Sequence, residues 1–283
     1  MLFINPTSGG GKAVRADLAA RARARGIEVV TLGPDASLDE LVEHAVSDGA
    51  DGLGVAGGDG SLAVVATAAI AHGLPFVCLP AGTRNHFALD LGVDRRDLVG
   101  ALEAFTDGVE RRIDVGEVNG RLFLNNVSMG IYGDAVQHSE YRDAKLRTLA
   151  ETVRAVLGPS GAASALQVID ERGRPYPSPA VLLVSNNLYA LNRPLVTGTR
   201  HTLAGGQLGV VVLDQPHGPG PPAGRAWTAD SVVVDALEPV HAGIDGEAIT
   251  LQPPLRFLIR PAVLRVRISA RHPGVSPSGR LTP

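Results

Sequence analysis

The run Gly57-Gly58-Asp59-Gly60-Ser61 joins three glycines, which let backbone amides come close to an anion, with one carboxylate and one hydroxyl. Amides of this kind suit a polyphosphate. Asp59 does not, because a carboxylate among anion-binding amides repels phosphate unless it holds a metal ion or takes a proton from an attacking hydroxyl. The plainer role for the same residue is a turn, or the cap of a helix beginning at Leu62. A second run, Asn5 to Lys12 (NPTSGGGK), superficially resembles a Walker loop. That pattern needs Gly where Pro6 stands and Ser or Thr where Ala13 stands, so it is excluded. A glycine-rich, hydroxyl-bearing turn before a helix still suits phosphate or ribose. Lys12, one of two lysines in the chain, is either a phosphate contact or an exposed first-turn residue. A third run, Pro80 to Phe87, sets Thr83 and Asn85 beside Gly82 at a helix start and suits adenine or phosphate. His86 is either a general base or a structural histidine. Late in the chain, Asp245-Gly246-Glu247 offers two acids, although Asp-Gly is equally a hairpin signal.

The elements that position these runs follow from periodicity. The first hundred residues alternate short apolar runs with helical patterns, the signature of a parallel sheet with crossover helices. Strands are predicted at Leu2–Ile4, Ile27–Leu32, Gly52–Val55 and Phe76–Leu79. Helices are predicted at Lys12–Arg25, from the capping box Ser37/Glu40 through Ser47, and at Leu62–His72. Each of the three runs follows a strand, so all three must share the carboxyl edge of one sheet, where such folds bind ligands.

From about Arg111 the texture changes to short alternating runs separated by turns, predicting a second domain of mainly antiparallel, sandwich-like β-structure. The expected division is an α/β domain over 1–112, a β-rich domain over 113–270, and a disordered tail over 271–283. One helical interruption is expected at Glu140–Leu157, and Gly/Pro-rich stretches mark a loop at Gln215–Gly224 and the tail.

Composition narrows the function classes. With 283 residues, 45% hydrophobic and 19% charged, the chain is an ordinary folding sequence. A net charge of −3 gives no basic footprint for nucleic acid. After Glu247, however, no acid follows while six arginines do (Arg256, Arg260, Arg265, Arg267, Arg271, Arg280), which fits either anionic lipid or an outward-facing strand side. The single Cys78 in an apolar setting reads as a buried hydrophobe in a reducing compartment. No stretch approaches the ~18 to 20 apolar residues of a spanning helix, and no signal peptide opens the chain. A cytoplasmic protein, peripheral at the inner membrane face, is expected.

The motifs taken in order are similar to those of the diacylglycerol kinase catalytic family, relatives of sphingosine kinases and more distantly of NAD kinases. NPTSGG resembles the family's opening, GGDGS its nucleotide loop, PAGTRNHFA its GT-x-N-D-F-A segment, RRIDVG with FLNNVSMG its entry to the β-rich domain, and HAGIDGEAI its late D-G-E signature. The resemblance implies an NAD kinase/diacylglycerol kinase-like fold and transfer of the ATP γ-phosphoryl group to diacylglycerol or a similar lipid alcohol, with Mg²⁺ at the phosphates. Asn5, Gly57, Gly58, Gly60, Ser61, Gly82, Thr83 and Asn85 are then nucleotide candidates. Asp59, Asp245 and Glu247 are catalytic candidates, with either Asp59 or Asp245 as the base. Asp114 and Asn125 keep family positions. Implied partners are the lipid, a transiently contacted membrane surface and, through an exposed sheet edge, a second copy in a homodimer.

Two positions depart from the family pattern. His86 stands where relatives usually carry Asp, and Gly205-Gly206 where relatives often carry an Asp for a structural magnesium, so no structural metal is expected. A kinase for a soluble hydroxyl substrate and a catalytically weak or inactive nucleotide-binding module of the same fold stay as alternatives. An NAD kinase would want Asn-Glu where Asn85 is followed by His86.

Overall fold

The computed structural model describes residues 1–130, 166–169, 173, 175–177, 179–190, 199–214 and 224–279. The helix expected over Glu140–Leu157 and the loop expected before Gly224 lie outside these residues. The chain packs as two compact units, one made of Met1–Asp114, Ala190–Ala204 and Pro261–Pro283, the other of Val115–Tyr189 and Gly205–Arg260.

In the first unit, strand β1 (Leu2–Ile4) is followed by helices α1 (Lys12–Arg15) and α2 (Leu18–Arg23), then β2 (Val29–Thr31), α3 (Leu38–Ser47), β3 (Leu53–Ala56), α4 (Asp59–Ala71), β4 (Phe76–Leu79) and α5 (His86–Asp90). The four strands lie in the order β2-β1-β3-β4 and all run parallel. Three of them are buried along their whole length, because crossover helices cover both faces of such a sheet, and this is why they read as unbroken apolar runs. The helix expected over Lys12–Arg25 is broken: Asp17 adopts a left-handed conformation (φ 48°) between α1 and α2. Ser37 caps α3 as its spacing predicts, its hydroxyl accepting from the Glu40 amide at 3.4 Å. Helix α4 starts three residues earlier than Leu62, so Asp59 lies in its first turn and Gly58 is its cap residue.

The second unit is built from the latter part of β5 (Gly108–Val118), β6 (Arg121–Phe123), β7 (Asn126–Gly130), β8 (Gln167–Ile169), β9 (Pro175–Pro177), β10 (Val181–Asn186), β11 (Leu208–Leu213), β12 (Gly224–Ala229), β13 (Ser231–Asp235), β14 (Val240–Ile244), β15 (Glu247–Leu251) and the first part of β16 (Leu255–Ser269). A six-stranded sheet runs β12-β11-β10-β7-β14-β15, and every pairing in it is antiparallel. Alternate residues such as Val127 and Met129, Leu182 and Val184, and Leu208, Val210 and Val212 turn inward to a core shared with Val232, Val234, Leu255 and Phe257. Phe123 and Phe257 meet there edge to face at 6.4 Å. Period-two alternation over one buried face is what made these strands legible.

The expected boundaries need correction. Strand β16 begins in the second unit, pairing antiparallel with β13, and ends in the first, where Val266 and Arg267 pair parallel with Phe76 and Val77 of β4. The end of β16 therefore extends the α/β sheet, and residues 261–279 belong to the first unit instead of closing the β-rich domain. The expected tail is likewise packed as far as Gly279: His272, Ser276 and Ser278 are buried. The Ser276 hydroxyl donates to the Arg200 carbonyl, and the Thr199 and Ser278 hydroxyls are hydrogen-bonded to each other. The late arginines do not form a loose basic end either. Arg260 pairs with Glu117, Arg265 and Arg267 with Glu110, and Arg271 with Glu103.

Candidate functional site

Within the first unit the three glycine-bearing loops meet at the carboxyl ends of β1, β3 and β4. The contacts are so close that side chains are excluded. A Cβ on Gly9, whose φ is +56°, would lie 2.3 Å from the Ala81 carbonyl oxygen. One on Gly82 would lie 3.0 Å from the Gly57 carbonyl oxygen and 3.2 Å from the Gly58 Cα, and one on Gly57 would lie 2.8 Å from the Ser61 Cβ. The glycines thus let three backbones pack directly on one another. Asn5 stitches the first loop, its Oδ1 accepting from the Thr7 amide at 3.1 Å and the Thr7 hydroxyl at 2.8 Å, while its own amide donates to the Ala56 carbonyl at 2.9 Å. Asn85 stitches the third. It is buried in a left-handed conformation (φ 52°) and its Nδ2 donates to the Gly82 carbonyl at 2.7 Å. Gly58, Asp59, Gly60 and Ser61 open α4 beside these loops, and Thr83 is exposed. All eight nucleotide candidates and Asp59 are therefore on or next to one sheet edge.

Behind this edge, burial pushes the Cys78 thiol far above its ordinary pKa, with the Asp59 carboxylate adding to the shift. Cys78 is the inert buried hydrophobe its setting predicted. Beside these loops lies a depression of about 560 Å³ lined by Gly9, Gly10, Lys12, Gly82, Thr83 and Asn85. Arg84, Arg95 and Arg96 line it as well. Lys12 is fixed across it, Nζ donating to the Pro80 carbonyl at 2.8 Å and the Arg95 carbonyl at 2.7 Å. Desolvation lowers its pKa, the nearby Arg95 lowers it further, and Asp94 opposes both. His86 exposes part of its surface to solvent, yet the protein packed around its ring lowers its pKa. Asp90 opposes that shift while Arg84, Arg95 and Arg200 add to it. The lowered pKa favours the neutral imidazole.

In the second unit, Asp245 and Gly246 form the two-residue turn between β14 and β15, both with positive φ (49° and 89°), and Ile244 pairs with Glu247. Asp-Gly is favoured in such a turn because both positions must turn left-handed. The hairpin reading of the spacing is thus correct for the backbone, and the side chain does more. Asp245 is buried, and its Oδ2 accepts from the Leu124 amide at 2.8 Å while Oδ1 accepts from Asn125 at 2.7 Å and Asn126 at 3.1 Å. One carboxylate therefore organises the segment leading into β7. Glu247 is exposed at the start of β15. Asn125 is buried nearby in the chain, and Asp114, in the first unit, accepts from the Ala262 amide at 2.9 Å.

Three groups of polar residues carried no functional reading in the sequence. Asp90 and Arg200, both buried, form an ion pair in which the Arg200 amide and Nε each donate at 2.8 Å and Nη2 lies 2.8 Å from Oδ2. In the second unit, Ser185, Asn186 and Asn187 are buried: Asn187 Nδ2 donates to Asn186 Oδ1 at 2.8 Å, and Asn187 Oδ1 accepts from the Gly205 amide at 2.8 Å. The doublet Asn186-Asn187 after an apolar strand was visible as a run of buried amides needing partners. The third group, Arg84 with Arg95 and Arg96, was signalled only by two adjacent arginines between two aspartates.

Comparison with known proteins matches this arrangement to one family. The model of the diacylglycerol kinase catalytic domain matches residues 1–118. A probable lipid kinase YegS-like of Pseudomonas aeruginosa strain PAO1 is 36% identical over 149 residues, a stretch covering 51% of this chain and 48% of that protein. A diacylglycerol kinase of Mycobacterium tuberculosis H37Rv is 35% identical over 118 residues, covering 40% of this chain and 38% of that one. The chain thus spans about half the length of these relatives or less. The fold match is broader: the crystal structure of a putative diacylglycerol kinase from Bacillus anthracis str. Sterne superposes with a TM-score of 0.72 at 18% identity over 95% of this chain and 96% of that one. Glycine-packed loops, motif order and fold thus agree with this similarity, which over residues 1–118 is to the diacylglycerol kinase catalytic domain.

Proposed function

We propose that the chain is an ATP-dependent kinase that phosphorylates the hydroxyl of diacylglycerol or a similar lipid alcohol. The observation that carries this reading is the junction of three loops by Gly9, Gly57 and Gly82, which leaves backbone and small polar groups at the carboxyl edge of a parallel sheet, where such sheets take nucleotides. In the reaction the lipid hydroxyl oxygen attacks the γ-phosphorus, the bond from γ-phosphorus to the β,γ-bridging oxygen breaks, ADP leaves, and the hydroxyl proton passes to a carboxylate. The work of the protein is alignment and charge neutralisation. Asp59, in the first turn of α4, fits a magnesium ion that arrives on the nucleotide, since such an ion takes one or two carboxylates and completes its shell with phosphate oxygens and water. When bound, the ion neutralises phosphate charge. Among the described residues no three acidic, histidine or cysteine side chains gather into a separate metal cage.

Asp59 and Asp245 both stay candidates for the proton acceptor, and a direct comparison separates them. Purified protein with labelled ATP, Mg²⁺ and a panel of lipids in mixed micelles should give lipid-dependent transfer. Absence of transfer across the panel sinks the kinase reading and leaves a nucleotide-binding module. Asp59→Asn should lose transfer with an unchanged unfolding midpoint. Asp245→Asn should lose transfer and stability together, because its new amide group would face backbone amides. Full transfer by either variant removes that residue from the chemistry. Among the described residues no helix is long and apolar enough to cross a membrane, and the proposed protein meets its lipid from the cytoplasmic side at a membrane surface. Strands β12 and β15, at the two edges of the six-stranded sheet, are the proposed surfaces for a homodimer.

A further inference from the structure

We propose that the depression of about 560 Å³ beside the glycine loops is the seat of a nucleotide's phosphate chain, with Arg84, Arg95 and Arg96 as the side chains that hold its charge. This rests on the nucleotide reading above and assigns it a group of residues. The volume suits a nucleotide-sized ligand. Its lining combines two chemistries: glycine backbone at Gly9, Gly10 and Gly82, which allows close approach, and the arginines. A guanidinium presents paired donors that match phosphate oxygens.

The arginines are placed by the chain itself. The Asp94 carboxylate accepts from the Arg96 amide at 2.9 Å, folding the turn that presents both arginines. The Arg95 Nη1 donates to the Arg84 carbonyl at 3.2 Å, and Lys12 clamps the Arg95 carbonyl from the opposite side. Elsewhere in the molecule Arg260, Arg265 and Arg271 are each matched with an acid. Arg95 and Arg96 have no ion pair among the described residues. Several cations around one depression repel one another, and the lowered pKa of Lys12 records part of that repulsion. Such clustering is unfavourable until an anion arrives, which marks it as a ligand site more than a stabilising one.

The test titrates the full chain at fixed ionic strength with MgATP, adenosine, inorganic tripolyphosphate and vesicles containing phosphatidate. It uses wild type, an Arg95→Gln/Arg96→Gln double variant, and Arg271→Gln as a control for charge alone. Losing charge-assisted contacts at two arginines should weaken ATP and tripolyphosphate binding by about tenfold or more. Adenosine binding should be unchanged, the control should behave as wild type, and the unfolding midpoint should not move because both arginines are exposed. Equal ATP and tripolyphosphate affinity in wild type and double variant overturns the inference and leaves the nucleotide reading standing. A loss confined to vesicle binding also overturns it, assigning the arginines to a lipid headgroup. Wild type that binds tripolyphosphate at these arginines but neither ATP nor adenosine keeps the anion site and sinks the nucleotide reading.

Discussion

The loop junction of the first unit and the Asp245 turn of the second solve the same problem, holding irregular backbone in one shape, by opposite means. At the junction the loops meet because Gly9 and Gly82 have no side chains, so backbone atoms of three loops come together directly. At the turn one side chain does the gathering, and three amides converge on Asp245. The difference teaches where each can tolerate change. A junction held by absence is broken by adding one methyl group, whereas a junction held by a carboxylate is broken by removing two oxygens.

Breaking the second should cost most. Asp245→Ala strands three amides in a buried site, and with ~1–3 kcal/mol for each unsatisfied donor the loss should be at least about 3 kcal/mol, read from urea unfolding. Gly9→Ala should follow at about 3 kcal/mol, because left-handed strain adds to a clash of backbone with backbone. Amide exchange should rise locally, at the ends of β1 and β4. Gly10→Ala sharpens the contrast: its φ of +67° is similar but nothing lies within 4 Å of the added Cβ, so only conformational strain of about 1 kcal/mol is expected. An equal loss in the two glycine variants would mean that strain, not packing, joins the loops.

The smallest effect tests whether a carboxylate also gathers backbone in the first unit. Asp97 Oδ1 accepts from the Gly100 amide at 2.8 Å, and that hydrogen bond is the main cause of its lowered pKa, with smaller contributions from His272 and Arg271 partly offset by burial. A carboxylate whose pKa is lower in the folded state stabilises the fold above its unfolded pKa, and this is lost as pH falls through the folded value. Asp97→Asn should therefore lower stability modestly at neutral pH and flatten the acid limb of a stability-versus-pH curve below about pH 4, where variant and wild type converge. An unaltered acid limb would show that this carboxylate does not gather Gly100.

Much of the fold was legible because burial imposes a period. Fully covered strands such as Phe76–Leu79 read as apolar runs, and half-covered ones such as Ser231–Asp235 alternate in burial. The glycine runs were legible as loops for the same reason that they pack, since few other residues tolerate their backbone. The break at Asp17 was not legible, because the residues on either side of it are good helix formers and only tertiary packing stops the helix. The tail misled composition: its Gly, Pro and Ser content signals no apolar face, and it is held by the hydroxyls of Ser276 and Ser278 instead. Asp90 and Arg200 lie 110 residues apart, a pairing that no local spacing encodes. The arginines at 84, 95 and 96 carried no reading in the sequence, because only the fold sets them around one depression.

That long-range ion pair bears on how the protein is made. Synthesis is vectorial, so Asp90 leaves the ribosome well before Arg200 exists, and β16, which extends the same sheet beside β4, emerges later still. A nascent chain ending near residue 118 would hold the glycine loops and Asp90 with no Arg200 to meet that acid. Breaking such a buried pair costs about 3–5 kcal/mol, a large part of what holds a domain together. The first unit is therefore completed after translation has passed through the second, and until then its sheet edge is open to chaperones, proteases and other chains.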